Sequence, residues 1–405
     1  MTALIGHLAL QSRDRRECTQ ESCRSAVPIR RRVFRELKMH MPLLVAIVVF
    51  GLAATGCSRP PDLVGVDNAK VPVASVQGAS HEKIFIMTTR EASEVVGALF
   101  SAERAPELGL ASVEVSIPPN HVSGKIERPK RLPPDPRTEF AVVDPLIYRD
   151  DAAFISQLNV ELLKRPAGQR EILLFVHGYN TTTSDAILRL GQFVKDTGFT
   201  GVPVLFTWAS AARTSRYVYD LNSALVARSK LKVMDDILLR TRVDRVNILA
   251  HSMGTFLTME GLVDMELSGR LRARGKIDTV ILASPDIDID LFRTQVELLP
   301  RAVRDKIYVL VSQDDYALRA SRIVAGGVPR VGATDAEALY GLGITVIDLS
   351  QIEDSAAGSH GKFSGSPEVV QLISRGLDAS PNIGGGRAPG LAELLVNVPI
   401  RIVGN

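Results

Sequence analysis

RVNILAHSMGTFLTMEGL, residues 245–262, is the stretch on which the fold turns. Its first seven residues are apolar on both faces and rich in Val, Ile and Leu, which predicts a fully buried strand over 245–251. The residues after it show helical periodicity, predicting a helix over 254–267. Between the two lies Ala250-His251-Ser252-Met253-Gly254, a small-x-Ser-x-Gly sequence. A serine on so sharp a strand-to-helix turn has its hydroxyl pushed out at the carboxyl end of the sheet, and small flanking residues let strand and helix approach. Ala250 stands where the pattern has its first glycine; it keeps the position small but adds one methyl group.

Outward from this unit, short Val/Ile-rich runs predict strands at 83–89, 111–117, 171–177, 202–208, 278–284, 306–312 and 344–350. Helices are predicted at 183–197, 216–241, 289–299, 316–324 and 366–377. Strands apolar on both faces and separated by helices imply an α/β fold, a mostly parallel central sheet with helices on both faces. The proline-rich stretch 118–139 reads as a surface loop.

If Ser252 is a nucleophile attacking an acyl carbon, the developing oxyanion needs two N–H donors. Met253, the residue after the serine, supplies one by position. Tyr179 in FVHGYN supplies the other, because Gly178 lets the backbone turn at once after an apolar strand. Five histidines follow the N-terminal apolar run: His81, His121, His177, His251 and His360. Only His360, in a glycine-flanked loop after the last predicted strand, stands where the general base of a Ser, acid, His order belongs. The acid should end a strand between the two. Asp315, on the second strand after the nucleophile strand, is the first choice, with Asp314 and Asp286 as alternatives. This chemistry calls for no metal and no organic cofactor.

The N-terminus reads as an address. Residues 1–40 hold nine Lys/Arg against four acids, whereas residues 41–405 carry 39 bases and 41 acids, so the body offers no general electrostatic reason to bind nucleic acid. All three cysteines, Cys18, Cys23 and Cys57, precede residue 58, which removes a disulfide or catalytic thiol from the body. LLVAIVVFGLAATG, residues 43–56, is short for a bilayer span but suits the apolar core of a secretory signal. The following Cys57 is the expected lipidation site, because Ala54-Thr55-Gly56-Cys57 resembles the bacterial lipoprotein signal. A basic segment just before the apolar run also fits translation beginning at Met39 or Met41. The expected organisation is an extension and signal at 1–57, a tether at 58–80, one domain at 81–379 and a tail at 380–405. The expected location is the bacterial cell envelope, exported and held at the membrane by the lipidated N-terminus.

The motifs VHGYN, GFTGVPVLFTWAS, YDLNSA, NILAHSMG, ASPDID, SQDDYAL and a late histidine occur in this order over roughly 83–378. In this the chain resembles a bacterial α/β-hydrolase family of uncharacterised, esterase/lipase-like proteins. The resemblance implies the α/β-hydrolase fold and hydrolase activity, and its acid-loop pattern, Asp-x-Ala-Leu, aligns with Asp315. The function so implied is a serine hydrolase cleaving a carboxylic ester or related acyl bond of a small-molecule or lipid-like substrate. The alternative from a different class is a membrane-anchored binding protein that keeps the fold without its chemistry.

Overall fold

In a computed structural model the chain is described at residues 60–271, 275–352, 359–378 and 401–403. The N-terminal address, Cys57 included, and most of the tail lie outside the described residues. Ten strands are described: β1 (Ser80–Ala92), β2 (Phe100–Ile117), β3 (Ala141–Ile147), β4 (Glu171–Val176), β5 (Val202–Thr207), β6 (Arg245–His251), β7 (Ile277–Ala283), β8 (Ile307–Val311), β9 (Thr345–Asp348) and β10 (Arg401–Val403). They form one sheet in the order β10-β9-β8-β7-β6-β4-β5-β1-β2-β3. From β9 to β1 every pairing is parallel; β2 and β3 at one edge and β10 at the other join antiparallel.

The helices are α1 (Asp151–Leu162), α2 (Thr183–Thr197), α3 (Tyr217–Leu239), α4 (Met253–Leu267), α5 (Ile289–Leu298), α6 (Tyr316–Val324) and α7 (Pro367–Asp378), with shorter turns between them. Because successive strand side chains point to opposite faces, each buried strand feeds two cores. Leu174, Val176, Ile248 and Ala250 join one with Phe154 of α1, Leu231 of α3, Leu257 of α4 and Phe292 of α5. Leu173, Phe175 and Leu249 join the other with Ile187 and Phe193 of α2 and Leu372 and Ile373 of α7. The mostly parallel sheet with helices on both faces is thus as the sequence predicts. Residues Pro60–Asn405 form one compact unit, and a unit with its own two-sided core has what it needs to fold alone.

α2 occupies its predicted span because its ends are marked. Thr182 and Asp185 form a reciprocal capping box, and Gly198 ends the helix in the left-handed conformation at φ 67°. α1, β3 and β10 are not among the predicted elements; β10 falls in the expected 380–405 tail but adds to the sheet beside β9. β3 contains Pro145, which argues against a strand in sequence, yet β2 is its one partner strand among the described residues, with a single further bridge from Val142 to Val64, and at this edge of the sheet a missing N–H is tolerated.

The stretch expected as a tether is not one from Pro60 onward. Leu63 is fully buried and its N–H donates to Ser184 Oγ (3.2 Å); Val64 is bridged to Gly97 and Val142. Small residues and prolines suggested a linker, but three apolar side chains, Leu63, Val64 and Val73, are enough to pin the segment to the edge of the domain.

The 118–139 loop is held down by His121. Its Nδ1 meets Glu127 Oε2 at 2.7 Å and its Nε2 meets Asp196 Oδ1 of α2 at 2.9 Å. Burial works against its charge, but the two carboxylates outweigh burial and raise its pKa. A raised folded pKa gives stability that is full below the unfolded value of about 6.5 and is lost as pH rises through the folded value. His121→Gln should therefore cost about 2 kcal/mol at pH 6 and much less at pH 9, read by chemical denaturation at both pH values. An equal loss at both would mean that the imidazolium is not what binds the loop.

Candidate active site

β6 ends at His251, and α4 starts at Met253, leaving Ser252 alone to make the turn. It does so at φ 53°, ψ −125°, a backbone conformation rare for a residue with a Cβ, which costs roughly 1–3 kcal/mol and persists only where its surroundings enforce it. Those surroundings are explicit. The Ser252 N–H donates to Ala283 O (2.9 Å), and its carbonyl accepts from Thr255 N–H (3.0 Å), Thr255 Oγ1 (2.6 Å) and Asp286 N–H (3.3 Å).

Two glycines make the turn possible. A Cβ at Gly254 would lie 2.4 Å from His177 O and 2.5 Å from Val176 O, so α4 can approach β4 only without one. A Cβ at Gly178 would lie 2.7 Å from Ser252 Cβ, which places the 178–180 loop directly against the serine. Gly254→Ala should destabilise the protein by about 3 kcal/mol, since backbone rather than a flexible side chain must give way. A thermal melt unchanged by that substitution would contradict the close approach.

The predicted base and acid meet. His360 Nδ1 lies 2.7 Å from Asp315 Oδ2. A carboxylate only accepts, so Nδ1 carries the proton and Nε2 keeps a free lone pair. Asp315 is fully buried; its Oδ1 accepts the Leu318 N–H (3.0 Å) and caps α6, so one carboxylate both starts a helix and orients the imidazole. The His360 carbonyl accepts from His251 Nε2 (3.0 Å) and from Ser284 Oγ (3.4 Å), tying the 359–361 turn to the carboxyl ends of β6 and β7. Ser252 is 3% exposed, and its Oγ forms no hydrogen bond among the described residues.

The two alternative acids are engaged elsewhere. Asp314 accepts from Lys362 Nζ (3.0 Å to both oxygens) and from Ser359 Oγ (2.6 Å), with Ser312 Oγ a further partner. Asp286 accepts from Tyr217 OH (3.0 Å) and Ser321 Oγ (2.5 Å), and Arg330 Nε lies 3.2 Å from it. Neither carboxylate contacts His360 among the described hydrogen bonds.

Of the expected oxyanion donors, Met253 opens α4, where N–H groups have no acceptor within the helix and the helix dipole favours negative charge. The Tyr179 N–H is hydrogen-bonded to no described residue. Its ring packs edge-on against Tyr217 at 5.3 Å, and its hydroxyl donates to Thr214 O (2.5 Å).

Sequence reasoning missed the roles of two groups that hold this loop, Asp220 and Arg90. Asp220, fully buried on α3, accepts from Asn180 N–H (3.1 Å), Ser210 Oγ (2.6 Å) and Ala211 N–H (2.6 Å). Arg90, 2% exposed, donates to the carbonyls of Thr181 (2.7 Å), Ser210 (3.1 Å) and Ser101 (3.0 Å) and to Thr207 Oγ1 (2.9 Å). Burial lowers its pKa to about 10, against the pull of Asp220, so it stays charged at neutral pH. His177 stacks on Trp208 at 5.1 Å, and the indole Nε1–H donates to His177 O (2.9 Å). Burial, with Arg90 nearby, pushes the His177 pKa down to about 3, so it is a neutral brace rather than a proton carrier. Burial, with His360 next to it, likewise keeps His251 neutral.

A cleft of mixed polar and apolar lining reaches Gly178 beside the serine, with Ile126, Arg128, Phe175, Asp185 and His251 among its walls. A more apolar cleft, between α3, α4 and the sheet, opens toward the amino ends of β6 and β7 at Val246 and Ile277. In open α/β sheets ligands bind outside the carboxyl ends of the strands, the end at which the cleft at Gly178 lies. Among the described residues, no group of three or more His, Cys, Asp or Glu is placed to hold a metal ion.

Residues 150–375, more than half the chain, match the family model described as an alpha/beta hydrolase of unknown function (DUF900). None of the curated proteins compared with the chain matches it. Among solved structures, one from a structural analysis of two fungal esterases from Rhizomucor miehei is similar over 78% of this chain and 85% of that chain, at 11% identity and a TM-score of 0.31. A likeness that weak says nothing of substrate.

Proposed function

We propose that this chain, which belongs to the alpha/beta hydrolases of unknown function, is a serine hydrolase that cleaves a carboxylic ester or related acyl bond through an acyl-Ser252 intermediate. The observation that carries the reading is the 2.7 Å hydrogen bond from His360 Nδ1 to the buried Asp315, at the strand ends that present the left-handed Ser252 turn. That bond leaves His360 Nε2 free to take the Ser252 proton as Oγ bonds to the substrate's carbonyl carbon.

The carbonyl electrons move onto oxygen, where the Met253 and Tyr179 N–H groups receive the charge. As the tetrahedral species collapses, the bond to the leaving alcohol breaks and His360 gives it the proton. Water then attacks the acyl carbon, passing a proton to His360, and the acid departs as Ser252 Oγ is reprotonated. Membrane attachment through a lipidated Cys57 remains part of the proposal, in the cell envelope.

The test is pre-steady-state hydrolysis of p-nitrophenyl acetate, butyrate and octanoate. An acyl-enzyme route gives a burst of p-nitrophenol approaching one equivalent per chain wherever deacylation is the slower step. Folded protein that hydrolyses none of the esters above the buffer rate would turn the assignment toward a binding protein.

A further inference from the structure

Beside the serine, at the same end of the sheet, large apolar side chains stand in solvent. On α6, which begins at the Asp315 cap, Tyr316, Ile323 and Val324 are 65%, 80% and 64% exposed; on the first turn of α3, Val218 is 64% exposed. Val324 shares one surface recess with Arg216, Tyr217 and Val218, so the two helices meet in a single patch. The patch borders the site, since Tyr217 packs on Tyr179 and Asp315 holds His360.

Positive charge predominates on it. Arg213, Arg216, Arg319 and Arg322 are all exposed around it, and neither 209–219 nor 316–334 contains an acidic residue. The neighbouring start of β2 adds one charge of each sign, Glu103 and Arg104. A second copy of this chain is a poor occupant, because a two-fold contact sets arginine against arginine. Exposed Val, Ile and Tyr ringed by arginines match the interfacial zone of a bilayer, where apolar side chains enter the acyl boundary and cations meet anionic headgroups.

The chain's own path agrees. Pro61 O accepts from Arg128, and the Leu63 N–H donates to Ser184 Oγ, at the start of α2 just beyond the carboxyl end of β4. The domain thus begins at the end of the sheet that bears Ser252, three residues in sequence after Cys57.

We infer that the α3–α6 patch is a docking surface for an anionic phospholipid bilayer, and that it sets the Ser252 end of the sheet against the membrane. This surface acts in the domain itself, apart from any lipid on Cys57. The test is sedimentation of the Pro60–Asn405 unit with vesicles of phosphatidylcholine alone or with about 30% phosphatidylglycerol. Binding is expected to the anionic vesicles and not to the neutral ones, falling steeply with added salt.

Arg319→Gln with Arg322→Gln should weaken partitioning roughly thirtyfold, from about fivefold per arginine. Ile323→Ser with Val324→Ser should weaken it independently, while Ser252→Ala binds as the unsubstituted protein does. Equal binding to both vesicle types, retention in both double variants, or no vesicle binding would overturn the inference. So would concentration-dependent dimerisation abolished by the same variants, or capture by polyglutamate in preference to vesicles.

Discussion

Ser252→Ala is expected to lower turnover of any ester the protein accepts by about a millionfold while leaving the melting temperature unchanged or slightly raised. The rate falls because no other described hydroxyl occupies the turn against Gly178 and Met253. Stability holds because what fixes the turn is backbone: the Ser252 N–H on Ala283 and its carbonyl on Thr255 and Asp286, all kept in alanine. His360→Ala should fall to a similar floor, and the double variant should be no slower than either single one, because groups that act as a unit are not additive. A His360→Ala protein within tenfold of the unsubstituted rate would remove the histidine from the mechanism.

The second large effect separates two adjacent carboxylates. Asp315→Asn should keep the fold, since an asparagine oxygen still accepts the Leu318 N–H and caps α6. Its amide NH2 would instead face His360 Nδ1, which must then accept rather than donate; the proton moves to Nε2, the atom that has to receive the serine proton. The expected cost is about ten-thousandfold in kcat. Asp314→Asn should do the reverse. It strips the counter-charge from Lys362, which is 2% exposed and left on Ser312 Oγ and Leu349 O. Because Asp314 itself is 43% exposed, solvent screens part of the pair, and the expected loss is about 2 kcal/mol of stability rather than the larger loss of a wholly buried pair. Rate at saturating substrate and denaturation midpoint, measured on both variants, decide which aspartate does which.

The legible parts of this site are those written locally. Ser252 stands out because strand, small residue, serine, glycine and helix are contiguous, and the Gly254 contact with Val176 and His177 explains why the glycine is there. Asp315 is preferred by strand order and by the Asp-x-Ala-Leu pattern, and the structure gives the physical reason for the difference from Asp314. The two differ in direction, one turned in to cap α6 and hold His360, the other turned to Lys362. Groups that brace the site from afar were not legible. Arg90 on β1 and Asp220 on α3 act on residues far away in sequence, at Thr181 and Asn180, and no local pattern, not even the YDLNSA motif that holds Asp220, tells what either one binds.

The same holds for the fold. β6 and α2 announce themselves by burial pattern and caps, whereas β3 hides behind Pro145 and the 60–79 segment behind linker-like composition. Edge strands and pinned termini depend on what they pack against, which a local pattern does not carry.

The most direct measurement is reaction of the protein with a fluorophosphonate, followed by peptide mapping of the adduct. The account predicts one phosphonyl group per chain, carried by Ser252 and absent in Ser252→Ala and His360→Ala. A folded protein that takes up no phosphonyl group, or takes it up at another residue, would contradict it.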